Sequence, residues 1–195
     1  MSNTETAFAP IIARWNLLNH PFYRAWSEGT LPSEALSRYA AEYGNFIALL
    51  ADGWEQAGVP AHAEEEREHA ELWADFARAL GAQVCPPTTA GVQALLDTAG
   101  AAFADPAQVW GALYAFEVQQ PATAESKRQG LRAFYALPES AHRYFDVHAN
   151  DLYEAEMITA HLDQQPQATR DIAAAACERV CRAMWDALSG FHAAC

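Results

Sequence analysis

The chain is short of positive charge: 12 Lys and Arg stand against 25 Asp and Glu in 195 residues, giving a formal charge of −13. No basic cluster is long enough to follow a phosphate backbone, which argues against nucleic acid and against anionic membrane as partners. Long apolar runs are missing as well. No stretch approaches a membrane span, and the opening MSNTETAFAP has neither the basic start nor the apolar run of a secretory signal. A soluble, cytoplasmic protein is expected. Cysteine is scarce, and Cys85, Cys177, Cys181 and Cys195 lack disulfide or zinc-knuckle spacing. Cys177 and Cys181 lie one helical turn apart and read as small core residues. There is no glycine-rich phosphate loop and no serine in a nucleophile elbow.

Strand patterning is absent too, since no run alternates apolar and polar residues for long, whereas nearly every segment between breakers repeats near 3.6. An all-α fold of about seven helices follows, and the length and 51% hydrophobic composition suit one domain over 1–195. The expected helices are Phe8 to Ser27; a second to Ala57 with Ser33 as N-cap; Ala61 to Leu80, ended by Gly81; and Gly91 to Phe103. A long helix then opens at Asp105-Pro106 and is kinked or restarted by Pro121, followed by Pro138 to Gln164 and a last helix after Gln165-Pro166 to about His192. Ala173 to Ala176 reads as a close-packed helix face.

Against this apolar background a few ionisable residues sit on inward stripes. His62, Glu66, His69, Trp73, Phe76 and Leu80 follow steps of four and three, so they share one face of one helix. Glu117 interrupts an apolar face formed by Trp110, Leu113 and Tyr114. His148 and Asp151 share a predicted stripe with Tyr144, Ala155, Ile158 and Leu162. Burying such groups costs several kcal/mol unless something pairs with them, and carboxylates and imidazoles converging from several helices are how bundles build metal sites. His62, Glu66, His69, Glu117, His148 and Asp151 are therefore the candidate ligands. A mixed nitrogen and oxygen set favours iron or manganese, with zinc as a third choice. The plainer readings stand beside these. The acidic run from Glu64 to Glu68 also fits a solvated face, His62 an exposed helix start, and His148 a core histidine bonded to a carbonyl; Asp151, Glu154 and Glu156 also fit a face toward water. Glu42, Tyr43, Tyr114 and Tyr144 are candidates for a substrate pocket. His20-Pro21 either reaches a site or makes a bend.

Several runs carry a family resemblance. Asn19-His20-Pro21-Phe22-Tyr23, Gly29-Thr30-Leu31-Pro32 and Tyr39-Ala40-Ala41-Glu42-Tyr43 resemble the opening helices of the haem-oxygenase-like superfamily, which includes thiaminase II and pyrroloquinoline-quinone synthase. His69-Ala70-Glu71-Leu72-Trp73, Tyr114 through Gln119 with Pro121, Lys127 and Gly130-Leu131, and Tyr144-Phe145-Asp146-Val147-His148 resemble more specifically its di-metal oxidases. The resemblance implies a helical bundle holding two irons. Their ligands would be a Glu and a His seven residues apart, a Glu on a later helix, and a His-x-x-x-Asp-x-x-His helix. His69, Glu117 and His148 match. His62 stands where the first Glu is expected, and Leu152 and Ala155 where the last Asp and His are, so Glu66 or Asp151 would have to substitute. The nucleophilic cysteine of thiaminase II has no counterpart between Ala112 and Gln119.

The resulting expectation is an oxidoreductase that uses Fe(II), as one or two ions, or Mn, to activate O2 against a small organic substrate. The alternative is a degenerate or metal-free member, either a cofactorless oxidase like pyrroloquinoline-quinone synthase or a protein that binds a small ligand or partner without redox chemistry. A homodimer is the expected assembly.

Overall fold

In the computed structural model, which describes residues 2–149 and 151–192, every regular element is helical and no strand occurs among the described residues. Cys195 lies outside them. Four of the seven expected helices appear as single helices: α3 (Ser33–Gln56), α4 (Pro60–Ala79), α5 (Ala90–Phe103) and α10 (Gln167–His192). The other three are each divided into α1 (Asn3–Arg14) and α2 (Pro21–Ser27), α6 (Val109–Glu117) and α7 (Gln120–Phe134), and α8 (Arg143–His148) and α9 (Tyr153–Asp163).

Each division has a local cause. The first helix starts earlier than Phe8 because Ser2 and Glu5 form a reciprocal capping box. It runs through Pro10 and ends at Arg14, and Pro21 opens α2 at its first position, where its missing N–H is not needed. Asn16 and His20 supply the replacement bonds, accepting from the N–H groups of Leu18 and Phe22 at 3.0 Å each. His20 therefore makes a bend. Pro121 likewise restarts the fifth segment, and Asp105 caps a turn through the Ala107 N–H instead of opening the helix, which begins at Val109. In the sixth segment Ala149 leaves helical geometry at ψ 119°, and the Asp151 side chain accepts from the Tyr153 N–H at 3.1 Å to begin α9. Ser33 is the first helical residue and not the cap; Pro32 holds that position with no side-chain bond. Gly81 does end α4, in the left-handed conformation at φ 72°.

The buried apolar side chains form one contiguous cluster from Phe8 to Phe191, rich in aromatics such as Trp26, Tyr39, Trp54 and Trp73. Helices α1, α5 and α6 pack on the long α10, and α3 pairs with α4. Cys177 and Cys181 are buried in this core as free thiols, while Cys85 is exposed. No helix among the described residues is long and apolar enough to cross a membrane.

Helices α6 and α10 meet so closely that a Cβ on Gly111 would stand 1.9 Å from the Ala173 carbonyl oxygen, whereas one on Gly100 would meet nothing nearer than Leu49 at 4.0 Å. Chemical denaturation should show Gly111→Ala destabilised by about 2 kcal/mol or more, because backbone must move. Gly100→Ala should be neutral or more stable by about 0.5–1 kcal/mol.

His20 supplies a second check. Burial, then the charge of His192, lowers its pKa from 6.5 to about 4. Its Nδ1 can cap Phe22 only when unprotonated, and its Nε2 lies 3.0 Å from Ser189 Oγ. The unfolded chain thus takes up the proton first, and the stabilisation, complete above pH 6.5, is lost as pH falls from 6.5 to about 4. Urea unfolding of His20→Asn, which keeps a capping oxygen that does not titrate, should lose less stability across that window than wild type. Equal losses would refute the capping role.

Candidate metal centre

Helix α4 presents His62, Glu65, Glu66 and His69 along neighbouring lines of one face, α6 brings Glu117, α8 ends in His148, and α9 begins beside Glu154. Glu66, His69 and His148 come together, with one potential ligand atom from each lying within 4.8 Å of the others. His69 Nδ1 is 3.4 Å from Glu66 Oε1 and 3.2 Å from His148 Nε2. The far nitrogen of His148, Nδ1, donates to the Tyr144 carbonyl at 2.6 Å, so its Nε2 carries the lone pair. Two acceptors, Glu66 Oε1 and His148 Nε2, therefore converge on the single N–H of His69.

The electrostatics match this geometry. Burial, then the neighbouring His69, lowers the His148 pKa to about 4, which keeps it neutral at physiological pH. Burial also depresses His69, but its hydrogen bond to Glu66 and the charges of Glu66, Glu154 and Glu65 outweigh that and raise it. Glu66 is 3% exposed, and its second oxygen, Oε2, is buried without a hydrogen-bond partner. Glu117 is buried alongside and accepts one bond, at 3.2 Å from Trp54 Nε1. Burial raises its pKa well above the usual carboxylate value, and the nearby Glu66, Glu154 and Asp151 carboxylates push it further. A buried carboxylate with an orphaned oxygen, beside a second one surrounded by like charge, is a donor set that a divalent cation fits and protons serve poorly.

His62 belongs to an adjacent group with Glu65 and Glu154, again with ligand atoms within 4.8 Å. Asp151 is exposed in the break between α8 and α9 and starts α9 through its side chain; it does not share a helical stripe with His148. Of the pocket candidates, Tyr144 lies against His148 with ring centroids 4.3 Å apart. Tyr114 lines a cavity of about 400 Å³ with Val118, Leu152, Ala155 and Thr159. That cavity shares α6 and α9 with the acidic groups, because Val118 follows Glu117 and Ala155 follows Glu154. Glu42 instead anchors the loop before α5, accepting from Thr88 and Thr89 at 2.7–3.1 Å. Tyr43 is in the aromatic core, stacked on Tyr39.

Three residues that sequence reasoning passed over stand close to these groups. Glu154 fitted a face toward water, yet burial raises its pKa. Trp54 is the hydrogen-bond donor to Glu117. Lys127, fully buried, has its pKa pushed down to about 7 by desolvation, with its Nζ 4.7 Å from the Tyr23 ring centre. The spacing of Lys127 from Gln120, Thr123 and Ala124 on the inward face of α7 was the available signal.

The metal-free chain carries the cost of the Glu117 carboxylate. Its raised folded-state pKa means that stability present below pH 4.5 is lost as pH rises toward that value. Metal-free Glu117→Gln should therefore melt higher than metal-free wild type at pH 8, with the gap closing toward pH 4.5. A lower melting temperature at pH 8 would contradict this account.

Comparison with known proteins agrees with the site chemistry. The family model described as iron-containing redox enzyme matches residues 54–184, the span that holds His62, Glu66, His69, Glu117, His148 and Glu154. A 4-aminobenzoate synthase of Nitrosomonas europaea is 31% identical, covering 93% of this chain and 88% of the relative. One from Chlamydia pneumoniae is 24% identical, covering 90% and 89%. Among solved structures, a TenA homolog from Pseudomonas syringae pv. tomato aligns with a TM-score of 0.78 at 15% identity, covering 97% of this chain and 91% of its own. A CADD-like protein of unknown function from Nostoc punctiforme aligns at 0.68 and 17%, covering 96% and 95%. With its all-helical bundle and the family match over two thirds of its length, the chain belongs to the iron-containing redox enzymes of haem-oxygenase-like fold.

Proposed function

We propose that this protein is an iron-dependent oxidoreductase that uses O2 to oxidise a small organic substrate, with Glu66, His69 and His148 as the metal ligands and 4-aminobenzoate as the product. The observation that carries the reading is the convergence of Glu66 Oε1 and His148 Nε2 on His69 Nδ1 inside a buried site. Removing one proton from His69 leaves three lone pairs directed at a common region. Two imidazoles and one carboxylate are the ligand set of non-haem iron oxygenases, and such a bound ion supplies oxygen activation through its open positions.

The chain's own residues have separable tasks. The Tyr144 carbonyl fixes the His148 tautomer so that Nε2 faces the site, a second-layer contact of the kind that sets ligand orientation. Trp54 holds one oxygen of Glu117 in place, and the aromatic walls of Trp54, Trp73 and Tyr144 keep bulk water out. The cavity lined by Tyr114, Val118 and Thr159 is of a size to admit a small aromatic molecule. The product assignment rests on the names of the relatives, which align with 90% or more of this chain.

After anaerobic Fe(II) loading and desalting, wild type should retain iron and consume O2 on exposure to air. His69→Ala should retain at least about tenfold less while keeping its helical circular-dichroism signal. Expression in a strain that cannot make 4-aminobenzoate should restore growth for wild type and not for His69→Ala. No iron in wild type would overturn the metal assignment. Iron retention without growth rescue would overturn the product assignment alone.

A further inference from the structure

We infer that the cavity between α6, α9 and the start of α1 binds an organic ammonium ion with an aromatic body, an arylalkylamine. The inference rests on the reading above that this cavity takes the substrate, and it names the chemical class that the lining selects.

The walls set the shape. Leu152, Ala155, Thr159 and Asp163 recur at steps of three and four, so they form one line along α9, about 16 Å long at 1.5 Å per residue. Val118 and Tyr114 supply the α6 side, and the cavity of about 400 Å³ is in the range of small-molecule sites. The Tyr114 ring meets Phe8 edge to face, with centroids 5.0 Å apart, and is 5% exposed. The apolar wall is therefore preformed, and a planar ring can pack against Tyr114.

The polar groups of the lining accept and do not donate. Only Tyr114 and Thr159 carry hydroxyls, and both are engaged: Thr159 Oγ1 donates to the Ala155 carbonyl at 2.7 Å, and the Tyr114 hydroxyl bonds to Thr159. Among the described residues no Lys, Arg or His lines the cavity, whereas Glu5, Glu156 and Asp163 do. The Thr4 hydroxyl and N–H, helped by the Ser2 hydroxyl, hold the Asp163 pKa below its ordinary value, so it is ionised at physiological pH. Arg170 is the least of the influences on Asp163 and is itself bonded to the Gln165 carbonyl and the Gln167 side chain. Glu5 uses one oxygen, Oε2, on the Ser2 N–H at 2.7 Å. Its Oε1 and the exposed Glu156 carboxylate are left to accept from an ammonium, in the stronger, charge-assisted kind of hydrogen bond. An anion such as 4-aminobenzoate finds neither a donor nor a counter-charge in this lining, so a carboxylate product is not retained there.

The test is calorimetric titration of the metal-free protein with three molecules of similar shape and different charge: 2-phenylethylamine, 2-phenylethanol and 3-phenylpropionate. The proteins are wild type, Ala160→Trp, which fills the cavity, and Glu5→Gln/Glu156→Gln. Ala160 and both glutamates are exposed, and glutamine preserves the capping-box bond of Glu5, so the variants should fold, with melting temperature as the check. Wild type should bind the amine about tenfold more tightly than the alcohol, with the propionate weakest, and added salt should narrow the gap. The double variant should lose about tenfold in amine affinity and keep its affinity for the alcohol. Ala160→Trp should bind none of the three. Equal affinity of wild type for amine and alcohol, or tighter binding of the propionate, overturns the charge selection. Unchanged amine binding in Ala160→Trp overturns the cavity as the site, and no binding by wild type overturns the inference as a whole. Each of these failures leaves iron retention, which reports the metal centre, unaffected; loss of the metal assignment would in turn leave the amine titration standing.

Discussion

Burial of acidic side chains is the constraint around which the rest of this protein is arranged. Glu66 and Glu117 sit inside an aromatic core, and the strongest charges acting on Glu117 belong to other carboxylates. An apolar interior does not tolerate such a group without compensation. The hydrogen bond from Trp54, the proton between His69 and His148, and the contact between His62 and Glu65 offset only part of the cost. On the proposed metal-dependent reading, a cation held by Glu66, His69 and His148 would offset what remains, because its charge would also lie near Glu117. On that reading stability and function are opposed at these positions, as is common where sites store unfavourable electrostatics.

The bundle converts this local requirement into a position. Helix α4 carries four of the groups because steps of three and four residues return to the same side, and it is held against α3 by apolar contacts and by the Trp73 indole bonded to the Ala40 carbonyl. Helix α6 brings Glu117 in from another direction and is itself fixed by Gly111, where the α10 backbone approaches too closely for any side chain. The breaks in the longer helices serve the same end. By stopping α8 at His148 and restarting at Tyr153, the chain points His148 at His69 and still brings Glu154 next to His62. An uninterrupted helix would have fixed the angular relation of these two residues.

Much of this was legible in the residues. The stripe from His62 to Leu80 predicted α4 and its inward face because a single helix preserves spacing. The lone Glu117 among Trp110, Leu113 and Tyr114 pointed inward for the same reason. Where a segment contained a competing local signal, periodicity misled. Pro21, Pro121 and the Asp151 turn each divide a helix whose apolar repeat runs on through the break, since the repeat continues in register with the core on both sides. Asp151 was read as inward because the stripe was extended through that break. Glu154 was read as solvated because charge alone does not reveal which way a new helix turns.

The sequence by itself therefore determined the helical class, most of the boundaries, and the helices from which the buried ionisable groups come, since these follow from local periodicity, capping and proline chemistry. Tertiary structure alone decided which groups meet. It paired His69 with His148 across 79 residues, joined His62 to Glu154, sent Glu42 to a loop and left Tyr43 in the core. Those outcomes depend on how helices cross and where their breaks turn the chain, and distances of a few ångströms between separate helices are not encoded in the spacing along any one of them.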